Sequence, residues 1–171
     1  MECNYIEKWG IRVPRLGFGC MRLPTLFNGK IDNIKFQRMI DIAMSNGINY
    51  FDTGYFYHEG QSELLLARML KKYPRNNYYL ATKMPITDIT TLEEAMDIFE
   101  TQLGKLNTKY IDFYLLHGLN RDTFVKAKNL GVIDYLLEQQ SKGRIKLFGF
   151  SFHDTYSVFK EIIEYRDWDF C

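Results

Sequence analysis

INYFDTGYFYHEGQSELLLARMLKKYP, Ile48 to Pro74, holds the repeating unit of the fold in one stretch. Ile48 to Thr53 is apolar enough to read as a strand that is covered on both faces. From Ser62 onward apolar residues recur at three-to-four spacing and Pro74 stops the pattern, which predicts an amphipathic helix. Between strand and helix lie Tyr55, Tyr57, His58 and Glu59, an unusual density of polar and phenolic groups just past a strand end.

The same alternation continues outward in both directions. Arg15 to Met21, Asn77 to Met84, Tyr110 to His117 and Lys146 to Ser151 read as further strands. FQRMIDIAMSNG, TLEEAMDIFETQLGKLN, VIDYLLEQQSKG and TYSVFKEIIEYRD read as helices between and after them. Strand and helix alternating about every 30 residues predict a parallel sheet with right-handed crossovers. Ahead of the first strand, CNYIEKWGIRVPR predicts an antiparallel hairpin turning at Trp9-Gly10. After the last helix, WDFC begins another extended run. No linker or charge block divides residues 1–171, so a single domain is expected, and the βα units share no sequence repeat.

Composition narrows the function. Lys and Arg number 22 against 21 Asp and Glu, so no net field draws nucleic acid or an anionic membrane, and neither is expected as a partner. Cys3, Cys20 and Cys171 are odd in number and far apart, fitting reduced thiols rather than a disulfide framework, and no pair has metal-ligand spacing. The amino terminus lacks an apolar signal region and no run approaches the ~20 apolar residues of a membrane span, so a cytoplasmic protein without a metal is expected.

In a parallel α/β sheet the carboxyl ends of the strands form the rim where ligands bind. Asp52 ends the second strand, Tyr57 follows in its loop, Lys83 closes the third strand and His117 the fourth. Neighbouring strands are about 4.8 Å apart, so these groups are expected to converge. A phenol is protonated at neutral pH and becomes a useful acid when an ammonium stabilises the phenolate left behind. Lys83 would do so for Tyr57, Asp52 would pair with Lys83, and His117 would orient a substrate oxygen. His58 and His153 are expected at the surface or in supporting positions, Glu59 and Glu63 at the start of the following helix, and Met39, Met44 and Met69 in helix cores. Gly17 and Gly19 lie within a strand and form no phosphate loop.

Asp52-Thr53-(x3)-Tyr57, Lys83 in ATKMP and His117 in FYLLHG, preceded by LGFGCMRLP and followed by GFSFH, resemble the aldo-keto reductase family. The likeness is to the bacterial branch whose longer members often carry a carboxyl-terminal iron-sulfur segment, and it runs from about Tyr5 to Cys171. It implies the (β/α)8 TIM-barrel fold, here an incomplete barrel of five to six parallel strands with an N-terminal β-hairpin, the later strands lying outside these residues. It also implies reduction of an aldehyde or ketone to an alcohol with NADPH or NADH, the small-molecule carbonyl being the partner. By position Tyr57 matches the proton donor, Asp52 and Lys83 its supporting pair, and His117 the residue that orients the carbonyl. Gly19, Cys20 and Met21 match positions where the first strand meets cofactor and substrate, and Ser151 matches the serine on the nicotinamide carboxamide. Many members have Asn after that serine, where this chain has Phe152. The competing expectation is a non-catalytic binding or assembly module that self-associates through open sheet edges.

Overall fold

A computed structural model describes all of residues 1–171. Its two compact units are Met1–Ala81 and Thr82–Cys171.

The first unit begins with the expected hairpin. β1 (Cys3–Ile6) pairs antiparallel with β2 (Ile11–Pro14), and the turn is a single 3-10 stretch, Glu7–Trp9, closed by Gly10 in the left-handed region at φ 64°. β3 (Phe18–Gly19) and β4 (Tyr50–Asp52) then run parallel, with Gly19 opposite Asp52. β4 also pairs with the first half of β5 (Tyr79–Met84), Asp52 lying opposite Ala81. β3 is much shorter than the predicted Arg15 to Met21, yet the Cys20 N–H still donates to the Asp52 carbonyl at 2.8 Å beyond its end. α1 (Asn33–Ser45) is capped by Asp32, whose carboxylate accepts from the Lys35 N–H at 3.0 Å. It buries Phe36, Ile40 and Ala43 as one stripe, while Met44 flanks that stripe and Met39 stays 39% exposed. Those two methionines are therefore not the core residues expected of them, whereas Met69 of α2 (Ser62–Leu70) is buried beside Leu66 and Leu70.

The second unit carries the rest of β5, then α3 (Leu92–Lys105), β6 (Ile111–Leu119), α4 (Arg121–Asn129), α5 (Val132–Ser141), β7 (Ile145–Phe152) and α6 (Tyr156–Tyr165). β6 and β7 are parallel, and from Ile111 to Leu116 consecutive residues are all buried, so both faces of that strand are covered. α4 was not foreseen: RDTFVKAKN is polar, and its signal is the reciprocal cap between Asn120 and Thr123 with Phe124 and Ala127 turned inward.

The run after α6 packs back onto β7. Trp168 is buried and its indole N–H donates to the Ile162 carbonyl at 2.8 Å. Asp169 accepts from the Phe148 N–H at 2.8 Å and from the Gln140 amide at 2.6 Å, and Phe170 forms a parallel bridge with Gly149. A Cβ on Gly149 would overlap the Phe170 carbonyl oxygen. Gly149→Ala should therefore destabilise the chain by about 1–3 kcal/mol as the backbone shifts. Thermal unfolding, with Trp168 fluorescence reporting release of the terminal run, measures this.

Candidate active site

The polar groups of the first unit are fixed through backbone contacts at the ends of β3 and β4. Past Asp52, the Thr53 N–H continues the ladder to the Ala81 carbonyl at 2.8 Å. The Thr53 hydroxyl donates to Ser62 Oγ at 2.8 Å, and the Ser62 hydroxyl donates to the Cys20 carbonyl at 3.2 Å. Thr53, Ser62 and Cys20 are fully buried, so this chain of hydroxyls satisfies backbone and side chain where water has no access. It ties the loop after β4 to the start of α2 and the end of β3.

That loop is a run of turns rather than an extended segment. The Tyr57 N–H donates to the Gly54 carbonyl, and the Ser62 N–H to the Tyr57 carbonyl, both at 3.1 Å. His58, Glu59 and Gly60 are three successive left-handed residues at φ 51°, 56° and 78°. For the two that carry a Cβ this costs about 1–2 kcal/mol each, so the surrounding contacts must hold the turn. His58 is not turned loosely to the surface as an extended loop would have it: its Nε2 accepts from the buried Leu23 N–H at 2.9 Å. Glu59 stays in the turn and exposed, outside α2, whereas Glu63 enters the helix's first turn as expected but is completely buried.

Tyr57 lies against bare backbone. A Cβ built on Gly54 would come within 2.9 Å of Cε1 and Cζ of the Tyr57 ring, so the phenol occupies space that any side chain at 54 would claim.

Lys83 and His117 belong to the second unit, where the structure brings them together. Lys83 sits one residue before the end of β5 and is only 6% exposed. Below it, the Gln102 amide donates to Thr82 Oγ1 and to the Lys83 carbonyl, each at 3.1 Å, and accepts from the Tyr114 hydroxyl at 2.5 Å. Gln102 and Tyr114 are fully buried, and this bracket joins α3, β5 and β6. Its signal in the sequence is a glutamine on the apolar stripe Ala95-Phe99-Leu103 of a helix, a polar residue that demands partners.

His117 lies where the register between β6 and β7 slips, from Leu116 opposite Phe150 to Leu119 opposite Phe152. The extra residue is absorbed at Gly118, in the left-handed region at φ 60°, and such bulges re-aim side chains. The Gly118 N–H donates to Ser151 Oγ at 2.7 Å, and the His153 N–H to the Leu119 carbonyl at 2.9 Å. Burial, then the charges of Lys83 and His153, push the His117 pKa down to about 4, so the imidazole is neutral at neutral pH. His153 itself is exposed. Of the remaining candidates, Gly19 and Met21 are exposed and Cys20 is buried in the hydroxyl chain above, while Ser151 is half-buried beside the bulge. Motif reasoning passed over Gly54 in the first unit and Gln102 in the second, and for His58 it gave only a surface or supporting position.

The Aldo/keto reductase family profile matches residues 15–168 of the chain. A soybean (Glycine max) protein named probable aldo-keto reductase 1 is 32% identical over 150 residues, covering 83% of this chain and 42% of its own length. Among solved structures, an aldo-keto reductase from Bacillus halodurans in its holo form superposes with a TM-score of 0.80 at 28% identity, covering 98% of this chain and 55% of that one. An aldo-keto reductase from Klebsiella pneumoniae in complex with NADPH shares the fold, with a TM-score of 0.70 at 19% identity over 92% of this chain and 52% of that one. The chain spans 37 to 48% of the length of the curated relatives it matches.

Two expectations follow from this geometry. Gly54→Ala should displace the Tyr57 ring while leaving the melting temperature within a few degrees, since only the far end of one side chain must move; the ring's NMR shifts report the displacement. His117 takes up its proton at about 4 in the folded chain against 6.5 when unfolded, so between these values the unfolded chain binds more protons. Stability should therefore fall as pH drops through that window and level off below it. His117→Gln should flatten that dependence, measured by urea unfolding at several pH values.

Proposed function

The chain belongs to the aldo/keto reductase family, and from that premise we propose that it carries the proton-transfer half of an NAD(P)H-dependent reductase that converts an aldehyde or ketone to an alcohol. The observation that carries the proposal is positional. Asp52, Lys83 and His117 each stand at or near the carboxyl end of their own parallel strand, and Tyr57 in the loop that follows one of them, inside a segment matched to an oxidoreductase family.

Reduction of a carbonyl needs a hydride at carbon and a proton at oxygen. A reduced nicotinamide supplies the hydride when bound. In the proposed reaction the C=O π pair becomes the new O–H bond by taking the proton of Tyr57 Oη, which leaves a phenolate. An ammonium close to that phenolate lowers its cost, at about 1.4 kcal/mol for each unit of acidity gained, and this is the role proposed for Lys83. Asp52 is proposed to fix that ammonium, and neutral His117 to hydrogen-bond and orient the substrate oxygen.

One hydrogen bond supports the assignment of Ser151 to a nicotinamide. Ser151 Oγ already accepts the Gly118 N–H, so its own O–H remains a donor available to a carboxamide oxygen. Gly19 and Met21, exposed at the end of β3, are proposed to border the same ligand, with Cys20 setting the backbone between them from the interior.

In the full gene product, Tyr57→Phe should lower aldehyde reduction by about 10²–10⁴-fold with little change in NADPH affinity. Loss of nicotinamide absorbance measures turnover and fluorescence titration measures binding. Unchanged turnover would remove Tyr57 from the chemistry.

A further inference from the structure

We propose, on the reading that Tyr57 is the proton donor, that His58 is a positioning residue whose neutral imidazole clasps the turn presenting that donor, so that proton uptake by His58 releases it. The hydrogen bonds within the turn are local: Tyr57 N–H to the Gly54 carbonyl, Gln61 N–H to the His58 carbonyl and Ser62 N–H to the Tyr57 carbonyl. None of these anchors the left-handed run to another part of the unit. The Leu23 N–H to His58 Nε2 bond does, reaching across 35 positions of sequence at 2.9 Å.

The clasp also closes a circuit. Leu23 stands three residues past Cys20, whose N–H donates to the Asp52 carbonyl, and Asp52 leads through Gly54 into the turn. Phenol-bearing turn and strand end are thus held at both sides, by a ladder bond on one and by an imidazole on the other. Leu23 is buried, so its N–H has no water to turn to when the imidazole leaves.

The bond requires a bare Nε2, with the ring proton on Nδ1. An imidazolium has N–H groups at both positions and cannot accept, and it would set one donor against another at Leu23. With the clasp gone, the two left-handed non-glycine residues lose the bond that ties them to the segment after β3, and in the proposal the turn relaxes and Tyr57 moves with it. His58 lines a cavity of about 650 Å3, into which the charged residues Lys30, from the loop before α1, and Glu59, from the turn itself, also face, with Asn28, Asn33 and Gln61. Solvent protons therefore reach the ring, and the two flanking charges are of opposite sign.

The test is an NMR pH titration of the 171-residue chain, following the His58 ring nitrogens, the Leu23 amide and the Tyr57 ring carbon that bears oxygen. The expected result is an Nδ1–H tautomer at neutral pH and a concerted shift of Leu23 and Tyr57 as His58 titrates. His58→Gln, whose amide oxygen accepts at any pH, should keep both resonances at their neutral positions throughout. His58→Leu, equally unsuited to the left-handed region but without an acceptor, should show the acid positions at neutral pH. In the full gene product His58→Leu should lower kcat by up to about 10²-fold with KM little changed, and the glutamine should restore it while erasing the acid limb of the pH profile. Leu23 and Tyr57 resonances indifferent to His58 titration, or a glutamine variant behaving as the leucine one, would overturn the proposal. The wild-type titration decides the matter even where the leucine variant does not fold. A Tyr57→Phe enzyme with undiminished turnover would instead defeat the parent reading, leaving the clasp to be judged by its resonances.

Discussion

A parallel strand covered on both faces leaves polar side chains almost nowhere to stand but at its ends. β6 shows the constraint: from Ile111 to Leu116 every residue is buried, including the polar Asp112 and Tyr114, whose hydroxyl needs Gln102 as its partner, and exposure returns at His117, where the ladder with β7 loses register. β5 behaves alike, apolar or small until Lys83, and β4 ends on Asp52. Burial of both faces thus does two things at once. It makes the sheet, through the apolar area removed from water, and it leaves the carboxyl ends of the strands as the places where Asp52, Lys83 and His117 stand.

The same sorting explains which parts could be read without coordinates. Strand cores and helix stripes announce themselves by period, so β4 to β7 and the helices α1, α2, α3, α5 and α6 were legible to within a few residues. α4 was not, because its helix rests on a cap and two inward residues rather than on a long stripe. Asp52, Lys83 and His117 were legible as residues at or near strand ends because their types stand out against apolar runs, and Tyr57 as a residue of the loop after one of them. His58 and Gln102 were not, and for one physical reason. Their importance lies in hydrogen bonds to groups far away in sequence, the Leu23 N–H for His58 and Thr82, the Lys83 carbonyl and Tyr114 for Gln102, and although a glutamine on an apolar stripe demands partners, the residue letters do not name them. Gly54 is similar: what matters there is the missing Cβ under a ring three positions on.

Buried polar residues carry much of this architecture. A fully buried glutamine costs several kcal/mol if its amide is unsatisfied, and Gln102 satisfies its amide by bracketing Thr82, the Lys83 carbonyl and Tyr114. The Thr53–Ser62–Cys20 chain does the equivalent in the first unit. In both places the polar network lies directly beside a strand end, where the ladder runs out and main-chain groups need side-chain partners. A fully apolar packing would leave those groups orphaned, so the networks are part of how a strand can stop inside a core.

The electrostatics of the second unit bear on how the chemical roles divide. An imidazole pushed down to about 4 is protonated in only about one molecule in a thousand at pH 7. Burial is the main cause, and the Lys83 charge adds to it, because a second cation beside an almost buried ammonium has little solvent to share. A group in that condition is a poor source of protons and a good neutral hydrogen-bond partner. In the proposed reduction it would hold a carbonyl oxygen without competing to protonate it, and the acid is assigned to another group. In that proposal the imidazole's environment sets its role, as a neutral hydrogen-bond partner and not as the acid.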